Sequence, residues 1–358
     1  MATPSNILRA VLSSAIILTG CQSVPHMQAT SDPIETLDGI SNPEDMAILA
    51  QTPYLLVSSY DKQSGALYAV DRSTTRIYPG FPAANTTFNA AGSDYACPGK
   101  PNEFLPLGLH VEALSGNAKR IFVANTGEPN RIEVIDLEPG SATGPKYIWR
   151  DCLETPAGFT INGLVRLSDG SFVVTSTLDQ KGDALARLIR GAPVGQIAIW
   201  KPGTGWRVAE TPGISGPNGI IAARRANEVV ISGFGDRTLY LYDIVQEAVV
   251  DTLILEFRPD NLRQRDDSSI IVAGFDLPND APDDCLFNPQ CNLPSFIATV
   301  EVADGKFAPA SASSRAISFD GATVATEDNG RTWLGSFRGN AIAVLTPQTP
   351  EQAGTTRD

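Results

Sequence analysis

The chain has 358 residues, and its apolar fraction of 42% is enough to fill a core. A formal charge of −13 opposes the phosphate backbone of nucleic acids, which excludes them as partners, while an acidic surface serves solubility and is compatible with cations. Its 31 glycines and 26 prolines are spread along the chain instead of pooled in a linker, which predicts many short elements joined by turns.

In chain order, residues 7–20 form a short apolar segment, too short to span a bilayer and suited to the core of a signal peptide. It ends in Leu18-Thr19-Gly20-Cys21, which resembles the bacterial lipobox, in which the cysteine is lipidated. Residues 1–20 are therefore expected to be a lipoprotein signal peptide, with Cys21 carrying a lipid anchor. That places the protein in the periplasm, and Gln22 favours the outer membrane. Residues 21–36 read as a flexible polar tether, 37–347 as the folded domain and 348–358 as a disordered tail. Four cysteines remain, an even number that favours disulfides in an exported chain and allows three connectivities. Cys285 with Cys291 and Cys97 with Cys152 is the favoured pairing; a zinc site is the competing reading, but the spacings match no finger.

Beyond the tether, one pattern returns about six times at about 50 residues per unit: a turn, an apolar strand, a polar break and a second strand. The pairs are 48–60 with 65–71, 120–125 with 131–137, 171–177 with 196–201, 228–233 with 238–243, 269–275 with 296–302, and 332–337 with 340–345. They are rich in Val, Ile, Phe, Tyr and Thr and bounded by Gly, Asn, Asp and Pro, the signature of strands. Long amphipathic helical patterns are missing. The unit size fits a four-stranded propeller blade, so the fold class is all-β, a six-bladed β-propeller. A pair of β-sandwiches would use similar strands; a β-helix is disfavoured by the long, irregular spacing.

In a propeller the innermost strands line a central channel, and residues at one end of them meet on the axis. That geometry would gather Glu44, Asn162, Asn218, Asp260 and Asn261 from blades one, three, four and five. Each sits at the mouth of an apolar run: Pro43-Glu44-Asp45-Met46, Asn162-Gly163-Leu164, Pro217-Asn218-Gly219-Ile220 and Pro259-Asp260-Asn261-Leu262. An Asn before a Gly is by itself an ordinary turn former. Taken together, two carboxylates and three amides form a hard oxygen cage that suits calcium, with a central calcium site, better than magnesium or softer metals.

These four motifs resemble the calcium-dependent six-bladed propellers of the gluconolactonase and paraoxonase superfamily, over about residues 38–345. The resemblance implies a buried catalytic calcium held by Glu44, Asn162, Asn218, Asp260 and Asn261, and hydrolysis of lactones, aryl esters or phosphoesters. The paraoxonase histidine dyad is absent: Leu107 and Thr126 occupy its two positions, and His110 lies three residues on from Leu107. Asp45 matches a ligand of a second, structural calcium, but Gly163 stands where another acid would be. Asp260 is then the candidate nucleophile or base, with His110 a second candidate catalytic residue if it leans into the pocket.

With two histidines in the whole chain, a serine triad has no support, and no Walker or dinucleotide-binding glycine loop occurs. The leading expectation is a monomeric, calcium-dependent hydrolase whose partner is a small-molecule ester or lactone. The alternative is a non-catalytic propeller, stabilised by calcium, that binds a small molecule or a protein.

Overall fold

The computed structural model describes residues 34–346, apart from 83–85, 90–93, 96, 142, 266–268 and 309–312. The expected signal peptide, the anchor at Cys21, most of the tether and the tail lie outside the described residues. Six sheets form six blades of a β-propeller, in each of which the strands run outward from the channel. The inner strands, in chain order, are Pro43–Ile48, Pro106–Ala113, Leu164–Arg166, Pro217–Ala222, Arg258–Gln264 and Ala322–Asp328. Each of them contacts the next, and the last contacts the first, so they close a ring around the axis.

The paired apolar runs of the sequence are the second and third strands of the blades. Tyr54–Ser59 shows why they read as continuous apolar segments: it is buried along its whole length. Leu56 packs with Ile121 and Val123 on one face, while Leu55 and Val57 pack with Trp333 and Ile342 on the other. A strand whose alternate side chains enter two different cores cannot show the apolar–polar alternation of a one-sided sheet.

Ring closure depends on the first described residues. Ile34–Asp38 pairs antiparallel with Ala341–Leu345, from Ile34 opposite Leu345 to Asp38 opposite Ala341, and so supplies the outermost strand of blade six. Ile34–Asp38 thus belongs to the propeller, although Ile34, Glu35 and Thr36 fall inside the stretch assigned to the tether. The short segment gives little strand signal alone, because its partner lies at the far end of the chain.

Both favoured disulfides are present, Cys97–Cys152 and Cys285–Cys291. The first spans a sequence separation of 55 and ties the chain ahead of blade two to that blade's outer strand, Gly144–Glu154. Replacing Cys97 and Cys152 together with Ala is expected to lower the unfolding free energy by about 2–4 kcal/mol. Chemical denaturation under non-reducing conditions measures this, and an unchanged midpoint would contradict the role given to the bond.

Candidate metal centre

Four of the five predicted ligands line one cavity of about 620 Å³ at one end of the channel: Glu44, Asn162, Asn218 and Asp260. They come from blades one, three, four and five, and the local backbone aims them. The inner strands slip register between Pro43 and Asp45, between Pro217 and Ile220, and between Pro259 and Leu262. Glu44, Asn218 and Asp260 each sit inside one of these bulges, which bend the strand and re-aim a side chain. Pro43 and Pro217 open their strands, where a missing N–H costs the ladder nothing.

The glycines after Asn162 and Asn218 are not turn residues, as neither has a positive φ. They let the next blade approach. A Cβ on Gly163 would lie 2.5 Å from the Asn218 carbonyl oxygen, and one on Gly219 would lie 2.4 Å from that of Asp260. The same carbonyls are held from the neighbouring blades. Thr175 Oγ1 donates to the Asn218 carbonyl, Ser232 Oγ to that of Asp260, and Thr323 Oγ1 to that of Glu44 at 2.7 Å. The Gly108 N–H donates to the Asn162 carbonyl at 3.0 Å. Sequence reasoning missed Thr175 and Ser232, although both stand next to the end of a buried second strand, where apolar residues give way to a small hydroxyl.

Glu44 Oε2, Asn162 Oδ1, Asn218 Oδ1 and Asp260 Oδ1 are buried and have no hydrogen-bond partner among the described residues. Oxygens desolvated without a partner are costly unless a cation or donor meets them. Burial, reinforced by the charges of Asp260 and Asp45, pushes the Glu44 carboxyl well above its ordinary range. Asp260 is likewise pushed well up by burial and by Asp45, against a lowering hydrogen bond from Asn218. Two carboxylates and two amide carbonyls aimed into one space form a hard-oxygen set that fits the expected cation. Among the described residues no group of three or more His, Cys, Asp or Glu is arranged to hold a metal ion, so any cation here would rest on the amide oxygens as well as the carboxylates.

Asn261 stands beside this set and not in it. It is buried with its Nδ2 turned to Glu44, 3.2 Å from the carbonyl oxygen and 3.3 Å from Oε1. Its role is to position Glu44.

His110 requires a larger correction. It lies about 10 Å further along its strand than Leu107, at ~3.3 Å per residue. Leu107 lines the metal-end cavity, whereas His110 lines a separate cavity of about 410 Å³ with Ile48, Val165, Ile221 and Gln264. Since the inner strands all run from the first cavity to the second, His110 belongs to the opposite mouth of the channel. There its Nε2 is 3.6 Å from Glu112 Oε1. Thr126 does not face the channel and donates to the Leu105 carbonyl at 3.1 Å.

Asp45, one residue from Glu44, points away from the cavity. Its carboxylate accepts from the Met46 and Leu109 N–H groups, each at 2.8 Å, and pairs with the Arg263 guanidinium. Arg263 is thus the cation at this carboxylate.

No protein-family model and no curated protein matches the sequence. Among solved structures, a luciferin-regenerating enzyme aligns with a TM-score of 0.54 at 11% identity, covering 88% of this chain and 95% of its own. A streptogramin B lyase aligns at 0.48 and 12% identity, with 88% and 97% covered. A catalytically inactive variant of virginiamycin B lyase from Staphylococcus aureus aligns at 0.49 and 10% identity, with 88% and 99% covered. The likeness to the luciferin-regenerating enzyme establishes the class of the fold, a six-bladed propeller, and nothing finer.

The raised carboxyls carry a sign. Without a cation, the folded protein holds protons on Glu44 and Asp260 that the unfolded chain releases above about pH 4. Their favourable contribution is full below that pH and is lost as pH rises toward the folded values. In divalent-free buffer the thermal midpoint should therefore fall as pH rises from 5 to 8, and Asp260→Asn should raise the midpoint and flatten the fall. A lower midpoint for Asp260→Asn at pH 8 in that buffer would contradict the unpaired state of this carboxylate.

Proposed function

We propose that this chain is a calcium-dependent hydrolase of lactones or esters, with its reaction site in the cavity over Glu44, Asn162, Asn218 and Asp260. The observation that carries the reading is the convergence of four buried, unpartnered oxygens from four blades beneath a cavity of a size that admits a small molecule. Calcium held by those four oxygens would supply a Lewis acid that polarises a substrate carbonyl or phosphoryl oxygen.

The chain's own residues supply the rest. Among the described residues, no serine or histidine lines this cavity. Glu44 is fixed from two sides, by Thr323 on its carbonyl and Asn261 on its carboxylate, which suits a permanent ligand. Asp260 is the carboxylate at the cavity floor that would take a proton from an attacking water, or attack directly, through the oxygen left free of the ion, its Oδ1 being a ligand. The lining residues Leu188, Phe234 and Phe275 exclude bulk water from one side. Read with the lipobox-like N-terminus, the enzyme would work in the periplasm, held to the membrane through Cys21.

One observation favours the non-catalytic alternative: Leu107 faces the cavity where the resembling family carries a histidine. Turnover separates the two readings. The purified protein is expected to hydrolyse aryl acetates or lactones with calcium, to lose that activity in chelator, and to lose at least about 100-fold in kcat/KM on Asp260→Asn. Calcium at a hundredfold excess over its Kd should stabilise the fold by about 2.7 kcal/mol. Stabilisation without turnover would favour the binding module; neither stabilisation nor turnover would remove both.

A further inference from the structure

Asp45 is the residue at which the resemblance implies a second, structural calcium, and its surroundings do not fit one. The carboxylate is 1% exposed and three donors meet it: the Met46 N–H at Oδ1, and the Leu109 N–H and the Arg263 guanidinium at Oδ2. A divalent cation needs acceptors, so a carboxylate with N–H groups on both oxygens is a poor ligand for it. The second acid that such an ion would need has no room. A Cβ on Gly163 would stand 2.5 Å from the Asn218 carbonyl oxygen and 2.9 Å from Thr175 Oγ1, and those two atoms are hydrogen-bonded to each other.

Arg263 fills the place of that ion. It stands on the inner strand of blade five and Asp45 on that of blade one, with the inner strand of blade six between them in the ring. The guanidinium reaches past blade six: Nε donates to the Met46 carbonyl at 2.5 Å and Nη2 pairs with Asp45, while Nη1 turns back to the Leu262 carbonyl at 2.7 Å. One positive charge thus gathers a carboxylate oxygen and two backbone carbonyls, as a metal ion would, and through Leu109 the same carboxylate reaches blade two. The arginine side chain is 14% exposed, so little water screens the contact. Arg258, on the same strand, shows the contrast. It is completely buried and donates to carbonyls, among them those of Leu188, Gly235 and Leu277, and to Asn279 Oδ1, whereas Arg263 ends on a carboxylate.

We infer that Arg263 is a cation built into the chain at the place of a second metal ion, so that the middle of the channel is held by a guanidinium and binds no divalent ion of its own. The inference does not rest on the hydrolase reading. Because the charge belongs to a side chain, a chelator cannot remove it, and the tie among blades five, one and two persists in calcium-free buffer.

The test truncates the arginine and returns its charge from solution. In chelator, Arg263→Ala should lower the thermal midpoint by about 5 °C or more, since a buried carboxylate loses its cation. Millimolar ethylguanidinium, which matches the atoms removed, should restore that midpoint and leave wild type and the double variant Asp45→Asn/Arg263→Ala unmoved. If Arg263→Ala does not fold, Arg263→Lys and Arg263→Gln take its place: the charged Lys variant should be the more stable, and the reverse order would overturn the inference. So would an Arg263→Ala midpoint equal to that of wild type, one that ethylguanidinium does not restore, or a restoration that survives Asp45→Asn. Calcium counted by equilibrium dialysis is the second arm. Two ions per wild-type chain, one of them lost on Asp45→Asn, would overturn the inference; a single ion that survives Asp45→Asn would uphold it. No bound calcium, with the ethylguanidinium response intact, would uphold Arg263 and remove the calcium-dependent hydrolase reading.

Discussion

Behind each oxygen at the metal end, the ligand's own backbone carbonyl is held from a neighbouring blade, and the rest of the structure depends on this belt. Gly108, Thr175, Ser232 and Thr323 supply the donors, and Asn261 adds one from blade five to blade one. Gly163 and Gly219 provide the clearance that lets the blades close to hydrogen-bonding range. With the backbone fixed, Glu44, Asn162, Asn218 and Asp260 cannot turn outward to find water. The cost of four unpaired, desolvated oxygens is borne by the interblade cores, which keep these groups aimed into the cavity.

Much of the architecture was legible because second and third strands enter two cores at once and read as continuous apolar runs. Inner strands were harder to see as strands. Pro217-Asn218-Gly219 carries three turn formers in succession, and only the blade context turns them into a bulge with close approach. The four converging ligands could be proposed from spacing, since blade intervals bring like positions to one axis. Spacing says nothing about which way a side chain faces. That is why spacing alone does not show that Asn261 turns its Nδ2 to Glu44, or that His110, three positions along its strand from Leu107, lines the other cavity. Arg258 was invisible for another reason: its partners lie on segments up to about 70 residues away, and a buried arginine that meets carbonyls has no local signature.

The inner strands also divide the channel into two ends of different chemistry. At one end, desolvated oxygens face an apolar arc. At the other, His110, Arg263 and Gln264 line a smaller cavity, and the Arg263 guanidinium reaches back to Asp45. This pair gives Asp45 a cation of its own, while the Asp45 charge still adds to the repulsion at Glu44 and Asp260. At the first end, an apolar arc thus stands over a floor that holds two carboxyl groups.

The location of a bound ion decides whether these four oxygens form a metal site. Anomalous diffraction from crystals soaked in calcium is predicted to show a peak among Glu44 Oε2, Asn162 Oδ1, Asn218 Oδ1 and Asp260 Oδ1, at about 2.3–2.6 Å from each. A calcium bound only elsewhere, or those four oxygens found paired with donors of the protein itself, would contradict it.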